Sequence, residues 1–297
     1  MWLRVLGSAA GGGFPQWNCS CPGCHAVREG SRPCRPRTQS SIAVSGDHRR
    51  WFVLNASPDI RTQIESFPSL YPRDGRDTPL QAVLLTDAEL DHTLGLLLLR
   101  EGRTLELHAT PATHETLWEG TGLLRTLERY CKVDWRPVVP GAEVSLADEL
   151  TYVAFDVPTR KRARFGSETA EGRVVGYRVM DEYTGGTLVY LPGVQDLTAG
   201  VRAQLDGCTC LLVDGTCWQD DELIDLGLAQ KTARDMGHLP IDGPGGSLEQ
   251  LSALPVERTI YIHINNTNPI LLEDSPERRM VEERGMEVAV DGLEVEV

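Results

Sequence analysis

Residues 80–100, LQAVLLTDAELDHTLGLLLLR, are the stretch on which the fold assignment depends. The apolar run at residues 82–85 (AVLL) is typical of a strand in a sheet that is covered on both faces. Four side chains of types that can bind metals or transfer protons follow at once: Asp87, Glu89, Asp91 and His92. Ligands collect in the loops after such strands, although the same acids are also common as solvated loop residues.

Two later apolar strands end in the same way. Residues 209–214 end at Asp214, and residues 259–262 (TIYI) lead into His263. Two imidazoles with carboxylates suit a divalent metal that keeps open coordination positions, and two histidines with one carboxylate are the ligands of non-haem Fe(II) oxygenases. A single strand-end aspartate is often only a helix cap, but three polar strand ends together favour a metal site.

A second metal site is predicted near the N-terminus, at CSCPGC. Cys19, Cys21 and Cys24 are separated by turn residues, so their thiolates can converge on one tetrahedral zinc ion. The alternative is a loop with three free thiols, but free cysteines are usually single and buried. The motif contains no fourth ligand, and His25 and Cys34 are the nearby candidates.

Composition limits the class of protein. The 297 residues are 41% hydrophobic and carry a net charge of −14, which argues against a nucleic-acid-binding surface. With no signal peptide or membrane span in the sequence, we expect a cytoplasmic protein whose cysteines are thiols or metal ligands. The basic run RKRAR stands out from this acidic background. Its arginines, Arg160, Arg162 and Arg164, either are solvated or bind an acidic group of a substrate.

Strand-like runs occur in both halves of the chain, with helices between them and no linker. This pattern predicts one domain, residues 1–297, of two sheets covered by helices. Helical spacing predicts one helix over residues 114–130 and another over residues 222–236.

The chain resembles the metallo-β-lactamase superfamily. DAELDH stands where that superfamily carries HxHxDH, while Asp214 and His263 resemble its bridging aspartate and last histidine. The N-terminal GSAAGGGFPQWNCSCPGC, with NASPDI, GHLPIDGPGGS and HINNTNPIL, resembles one branch, pyrroloquinoline quinone (PQQ) biosynthesis protein B. This likeness extends from Leu6 to about Leu272.

The resemblance implies an α/β fold, an αββα four-layer sandwich, with the site at the strand ends between the sheets. Asp87 and Glu89 replace two histidines of the superfamily motif, and no histidine lies near residues 157–159, where hydrolases of this fold place another ligand. One metal site, formed by Asp91, His92, Asp214 and His263, is therefore expected to remain. In a related phosphodiesterase branch a histidine completes the CxCxxC zinc site. Asn266 stands at that position, so Asn266, His25, Cys34 or water is expected as fourth ligand.

The branch is associated with oxygen-dependent hydroxylation of the tyrosine ring in a Glu-Tyr precursor of PQQ. The expected metals are then a structural zinc and an active-site divalent ion, with Fe(II) favoured and Zn or Mn as alternatives. The expected partners are O2 and the precursor. Asp87 or Glu89 would accept a proton or bind the substrate amine. His238, in GHLP, would support the site or donate a proton, unless it only caps the next helix.

Two alternatives stay open. The first is a carrier that binds PQQ or its precursor and assists its transport toward the periplasm. The second is a metal-dependent hydrolase, which the missing histidines oppose. No nucleic acid or membrane insertion is expected, and a homodimer is compatible with the sequence.

Overall fold

In the computed structural model, which describes residues 1–102, 104–147, 150–165 and 170–297, the chain forms two sheets of seven strands each. The strands of the first sheet are Trp2–Gly7 (β1), Ser41–Ser45 (β2), Trp51–Leu54 (β3), Leu80–Leu84 (β4), Thr104–Ala109 (β5), Lys132–Pro137 (β6) and Glu294–Glu296 (β14). Those of the second are Glu143–Ser145 (β7), Leu150–Asp156 (β8), Val175–Asp181 (β9), Thr187–Leu191 (β10), Cys210–Asp214 (β11), Arg258–Ile262 (β12) and Glu287–Val288 (β13).

Each sheet joins an antiparallel part to a parallel part. The first has the order β14-β1-β2-β3-β4-β5-β6 and is parallel from β3 to β6. The second has the order β13-β12-β11-β10-β9-β8-β7 and is parallel from β10 to β13. Parallel strands end at a common edge, so each sheet has one edge where several carboxyl ends lie side by side.

The two sheets pack face to face through side chains that alternate along the strands. On β4, Leu84 belongs to the buried cluster between the sheets, whereas Val83 lies in a cluster on the outer face. On β11, Leu212 faces inward, and Leu211 joins the outer cluster. Since successive side chains of a strand point to opposite faces, both faces of both sheets are covered, as their continuous apolar runs indicate.

Nine α-helices lie in the described residues: Pro22–Glu29 (α1), Ile60–Glu65 (α2), Leu90–Thr93 (α3), Pro111–Glu115 (α4), Leu123–Leu127 (α5), Ala199–Leu205 (α6), Glu222–Asp225 (α7), Ser247–Ser252 (α8) and Pro276–Glu283 (α9). Leu124 of α5 packs on the outer face of the first sheet, while Val201 of α6 and Leu251 of α8 pack on the second. The result is the predicted four-layer αββα sandwich, and that prediction is confirmed. Across the described residues, no helix combines the length and apolar character needed to cross a bilayer.

The prediction of two long helices from the sequence is wrong. Over residues 114–130 the chain forms the end of α4, a π-helical turn at Thr116–Gly120 and α5, and Gly122 interrupts the spiral with a left-handed φ of 70°. Over residues 222–236 only α7 and a 3₁₀ turn, Arg234–Met236, are helical, and Gly227 has a φ of 65°. Both breaks contain a glycine with a left-handed backbone, a region that glycine adopts without a steric cost. Apolar spacing alone did not reveal them, because it does not report the conformation of single glycines.

Candidate metal centre

The carboxyl-terminal strand edges bring the predicted ligands together in two groups that share one histidine. Asp214 is the last residue of β11 and pairs in register with Ile262, so His263 follows beside it. The ligand atoms of Asp91, His92 and His263 all lie within 4.8 Å of one another, as do those of Asp214, His238 and His263. All four predicted ligands therefore belong to one of the two groups.

His238 lies in one of the two groups itself, closer than a supporting residue needs to be. Its Nδ1 lies 2.7 Å from Oδ2 of Asp214, and its ring stacks on that of His263 with 5.3 Å between centroids. From the sequence, His238 is expected to support the site or to donate a proton. The structure places it where it can also be a ligand, and the GHLP turn that carries it was the sequence signal.

Asp87 orients His92 rather than standing free in the site. Its carboxylate oxygens lie 2.9 and 2.8 Å from His92 Nδ1. Nε2 of the same ring is buried and has no hydrogen-bond partner, and Oδ2 of Asp91 lies 3.9 Å from it. A buried nitrogen without a partner is costly, so this atom fits a role as the ligand of a cation. A carboxylate that holds the far nitrogen of a metal-binding histidine is a recurrent arrangement in metalloproteins.

A second layer of hydrogen bonds holds Asp87 in turn. Thr86 Oγ1 donates to Asp87 Oδ2 at 2.9 Å, and Asn55 Nδ2 donates to Thr86 Oγ1 at 2.9 Å. Asn55 lies after β3 with a left-handed φ of 64°, which asparagine tolerates better than most residues. The bonds run from β3 through the end of β4 to His92. Sequence reasoning did not assign Thr86 or Asn55 a role, because only the parallel pairing of β3 and β4 makes them neighbours.

Thr216 was also missed, although it lies two residues after Asp214. Its hydroxyl donates to Asp214 Oδ1 at 2.6 Å and lies 2.9 Å from His263 Nδ1 and 3.1 Å from His238 Nδ1. With Nδ1 of His263 engaged there, the other ring nitrogen, Nε2, faces Asp91 Oδ2 at 3.2 Å. Thr216 therefore fixes the orientation of the imidazole that belongs to both groups.

Burial and opposite charges shift the pKa values of these groups. Burial opposes a charge on His92, but the carboxylates of Asp87 and Asp91 outweigh it and raise its pKa to about 9. Burial lowers the pKa of His263. Burial also opposes ionisation of Asp214, yet the imidazoles of His238 and His263 keep its pKa below the usual value. The carboxylates thus remain charged, and their negative charge favours a cation among them, as a divalent metal ion would be.

Glu89, the other acid of the DAELDH motif, pairs with the basic segment. Its carboxylate lies 2.9 Å from Lys161 Nζ and 3.7 Å from Arg164 Nε. Arg160 and Arg162 are exposed. Arg164, one of the three arginines predicted to bind substrate, thus contacts Glu89, and so does Lys161, which was not among the predicted residues.

The glycine-rich loop after β1 passes directly over the metal centre. A Cβ added to Gly11 would lie 3.1 Å from Asp91 Oδ2. Ala10 N donates to the carbonyl of Ile264 at 2.8 Å, so the loop is joined to the chain just after His263. Small residues are needed here because the backbone and the Asp91 carboxylate are in contact.

The three cysteines of CSCPGC form the predicted thiolate cluster. Their Sγ atoms lie within 4.8 Å of one another, and all three side chains are buried. Asn266 Nδ2 lies 3.3 Å from Cys24 Sγ and 3.5 Å from Cys21 Sγ. Since amide O and N are assigned from hydrogen bonding, a flipped Asn266 would present its oxygen to an ion there. Burial raises the pKa of Cys21 to about 12, a penalty that a bound cation removes.

The other two candidate fourth ligands lie outside this cluster in the described chain. His25 is exposed, and Cys34 Sγ donates to the carbonyl of Arg32 at 3.4 Å. Asn266 is therefore the predicted ligand that the fold places against the thiols, although zinc coordination by it remains a prediction.

Sequence comparisons identify the relatives of this architecture. A family model described as a beta-lactamase superfamily domain matches residues 50–264. The coenzyme PQQ synthesis protein B of Methylococcus capsulatus is 47% identical, with 99% of each chain covered. The protein of the same name from Azotobacter vinelandii is 48% identical, with 100% of each chain covered.

Solved structures agree with the sequence relatives. The crystal structure of Zn²⁺-bound PqqB from Methylobacterium extorquens is 41% identical, covers 100% of both chains and superposes with a TM-score of 0.91. A diphosphatase from the PhnP family superposes with a TM-score of 0.71 at 21% identity, covering 100% of this chain and 97% of the diphosphatase. At that identity the second likeness concerns the fold alone.

Proposed function

Because this chain belongs to the coenzyme PQQ synthesis protein B family of the β-lactamase superfamily, we propose that it hydroxylates the tyrosine ring of the Glu-Tyr-derived precursor of PQQ. A role in PQQ biosynthesis follows from the family, and the reaction is our proposal. The observation that carries it is the buried Nε2 of His92, which has no hydrogen-bond partner and faces a carboxylate. One imidazole prepared in this way suits a centre with a single ion.

The residues present fit a divalent ion with open positions. Asp91, His92 and His263 would hold it from one side, and Asp214 from the other, with His238 beside Asp214. Two imidazoles and a carboxylate are the ligand type of non-haem iron oxygenases. Fe(II) bound here would supply the one-electron chemistry with O2 that ring hydroxylation requires, with one oxygen atom entering the ring and an external two-electron reductant converting the other to water. Zn and Mn are the competing occupants, and the Methylobacterium extorquens relative was solved with zinc.

The surrounding residues orient the ligands and handle protons. Asp87 keeps a proton on Nδ1 of His92, so Nε2 keeps its lone pair for the ion. His238 is the most exposed of the three imidazoles, with 16% of its side chain accessible against 4% for His92 and 6% for His263. We assign it proton exchange, between Nδ1 and Asp214 Oδ2 at a distance of 2.7 Å.

A hydrolase that uses two ions is supported less well by this geometry. Asp87 and Glu89 replace the histidines that such a site would need. Both carboxylates already have partners, His92 for the first and Lys161 for the second. With neither side chain directed to a second ion, shared activation of a water molecule has little support.

The proposed compartment is the cytoplasm. All eight cysteines of the chain are free thiols in the structure, three of them in the predicted zinc cluster. Unpaired cysteines in this number are typical of a reducing compartment.

The test is single-turnover oxygenation under defined metal. Protein is loaded with Fe(II) without oxygen, mixed with a Glu-Tyr dipeptide and the two-electron reductant ascorbate, and exposed to isotopically labelled O2. The proposal expects a product with one labelled oxygen on the ring, detected by mass spectrometry. Tight binding without product would favour the carrier, and cleavage of a generic phosphodiester or lactam would favour the hydrolase.

Two histidine variants complete this experiment. His92→Ala removes the imidazole whose Nε2 lacks a partner, so product formation should be lost. His48→Ala changes an exposed histidine in the β2–β3 turn and should leave product formation unchanged. Equal activity of the two variants would contradict the proposed centre.

A further inference from the structure

The basic segment, residues 159–164, is attached to the support of the metal centre. Gln195, which is 5% exposed, accepts hydrogen bonds through Oε1 from Thr159 Oγ1 at 3.2 Å and from Arg160 N at 2.6 Å. The residue before it, Val194, donates its backbone N–H to Asp214 Oδ2 at 3.0 Å. The backbone of the basic segment is therefore bound to Gln195, and the neighbouring Val194 contacts the predicted ligand Asp214.

Lys161 extends from this attachment across the centre. Its stem packs on Gly237, where an added Cβ would lie 3.1 Å from Lys161 Cδ, and Gly237 directly precedes His238. Its ammonium nitrogen lies 2.9 Å from Oε1 of Glu89, two residues before Asp91. One lysine thus connects the chain segments that carry ligands from the two groups.

The partner of Lys161 has the chemistry of a substrate carboxylate. The Lys161–Glu89 pair is partly exposed, with 26% and 36% of the side chains accessible, so its net stabilisation is small and exchange for another carboxylate is inexpensive. Arg164 Nε lies 3.7 Å from the other oxygen of Glu89 and provides a second positive charge. The centre itself is acidic, so an anionic substrate needs these cations to approach it.

We propose that Lys161, with Arg164, is the receptor for a carboxylate of the substrate, and that Glu89 occupies this receptor until substrate displaces it. The inference rests on the proposed function only in that a Glu-Tyr-derived substrate carries several carboxylates. Glu89 is then a residue that sets specificity by competition. It rejects ligands whose anionic group cannot displace it.

Calorimetric titration of the zinc-loaded protein with L-glutamyl-L-tyrosine measures this receptor without turnover. Lys161→Met should weaken binding by about 5-fold, because the substrate carboxylate loses a partly exposed ion pair and meets the unpaired carboxylate of Glu89. Lys161→Arg should stay within about 3-fold of wild type, since the positive charge is kept. Glu89→Gln should tighten binding by about 3-fold, because the competing carboxylate is neutral and an exposed ion pair is lost.

Two controls separate the receptor from the general charge of the surface. Arg160→Met removes the same charge one residue away, at an exposed position, and should change affinity by less than about 2-fold, as screening of exposed charges predicts. The diamidated probe, L-glutaminyl-L-tyrosinamide, should bind equally to wild type and to Lys161→Met.

The inference is overturned if Lys161→Met and Arg160→Met lose equal affinity, if the diamidated probe shows the same loss, or if wild type binds neither probe. Failure of the proposed function gives another pattern. Binding of the dipeptide that depends on Lys161, without any hydroxylated product, would support the receptor and reject the hydroxylase. Hydroxylated product with binding independent of Lys161 would do the reverse.

Discussion

Asp87 stands where the superfamily motif has a histidine, and its neighbours determine what the carboxylate does. Thr86 Oγ1 donates to one oxygen, and both oxygens contact Nδ1 of His92. A carboxylate in this position fixes the tautomer and the direction of the ring. Asp87 is therefore placed to support His92, a predicted ligand.

Asp87→Asn should therefore weaken metal binding without removing a ligand. We expect a 10- to 100-fold loss of affinity at the active-site centre, the usual range for such supporting residues, in a chelator competition assay. Glu89→Gln, two residues away, is the matched control and should keep wild-type metal affinity because its carboxylate faces Lys161. An Asp87→Asn protein with unchanged affinity would rule out this role.

Gly11 gives a second prediction for a single residue. Gly11→Ala would place a Cβ 3.1 Å from Asp91 Oδ2, and the carboxylate would have to move. Metal affinity at the centre should fall, while zinc at the thiolate cluster should be retained, as metal analysis would report. Gly200→Ala is the control, since its nearest contact would be 3.9 Å away. Wild-type affinity in Gly11→Ala would show that Asp91 can shift freely.

At the scale of elements, the N-terminal cysteine loop and the chain after β12 form one unit. Cys21 Sγ donates to the carbonyl of Asn266 at 3.4 Å, and Cys21 also caps α1 by accepting from Cys24 N. His263 lies three residues before Asn266. An ion held by the thiols would thus join α1 to the segment that carries a ligand of the other centre.

Cys21→Ser should release about one zinc per chain and lower the melting temperature, because the binding energy of a structural zinc contributes to folding. Zinc is measured by elemental analysis after purification without added metal. Cys34→Ser, whose thiol contacts the carbonyl of Arg32, should keep its zinc. Loss of zinc in Cys34→Ser but not in Cys21→Ser would assign the ion to other ligands.

At the scale of the whole molecule, stability depends on pH through a largely buried carboxyl of α7. Glu222 accepts from Thr267 Oγ1 and from Trp218 N, and so connects the segments after β11 and β12. Burial outweighs these hydrogen bonds and raises its pKa to about 7. The folded state therefore binds this proton more tightly than the unfolded state, in which the pKa is about 4.5.

Stability should consequently fall as the pH rises from about 4.5 to about 7, and the loss should then stay constant on the order of 3 kcal/mol. Glu222→Gln lacks this titration, so its melting temperature relative to wild type should rise by several degrees across that range. Differential scanning fluorimetry at a series of pH values measures the difference. Glu283→Gln, at an exposed position of α9, should show no such trend, and parallel curves for Glu222→Gln and wild type would refute the prediction.

Prediction from sequence succeeded where the signal is local. The covered strands β4, β11 and β12, the polar residues at their ends and the cysteine triplet could all be recognised from short patterns. The prediction of a helix over residues 222–236 was wrong, because the chain leaves the helical conformation after α7, where Gly227 has a left-handed φ of 65° that apolar spacing does not indicate.

The sequence by itself determined which side chains can bind metal, because residue type and alternation along a strand are local properties. Only the tertiary structure decided their roles. His238 reached the centre, Asp87 turned to His92, and Glu89 turned to Lys161. Two of these outcomes depend on contacts between residues that lie far apart along the chain, and the third depends on the direction in which the Asp87 side chain points. The pairing of parallel strands and the packing of two sheets bring such residues together, and no pattern within one stretch encodes that pairing.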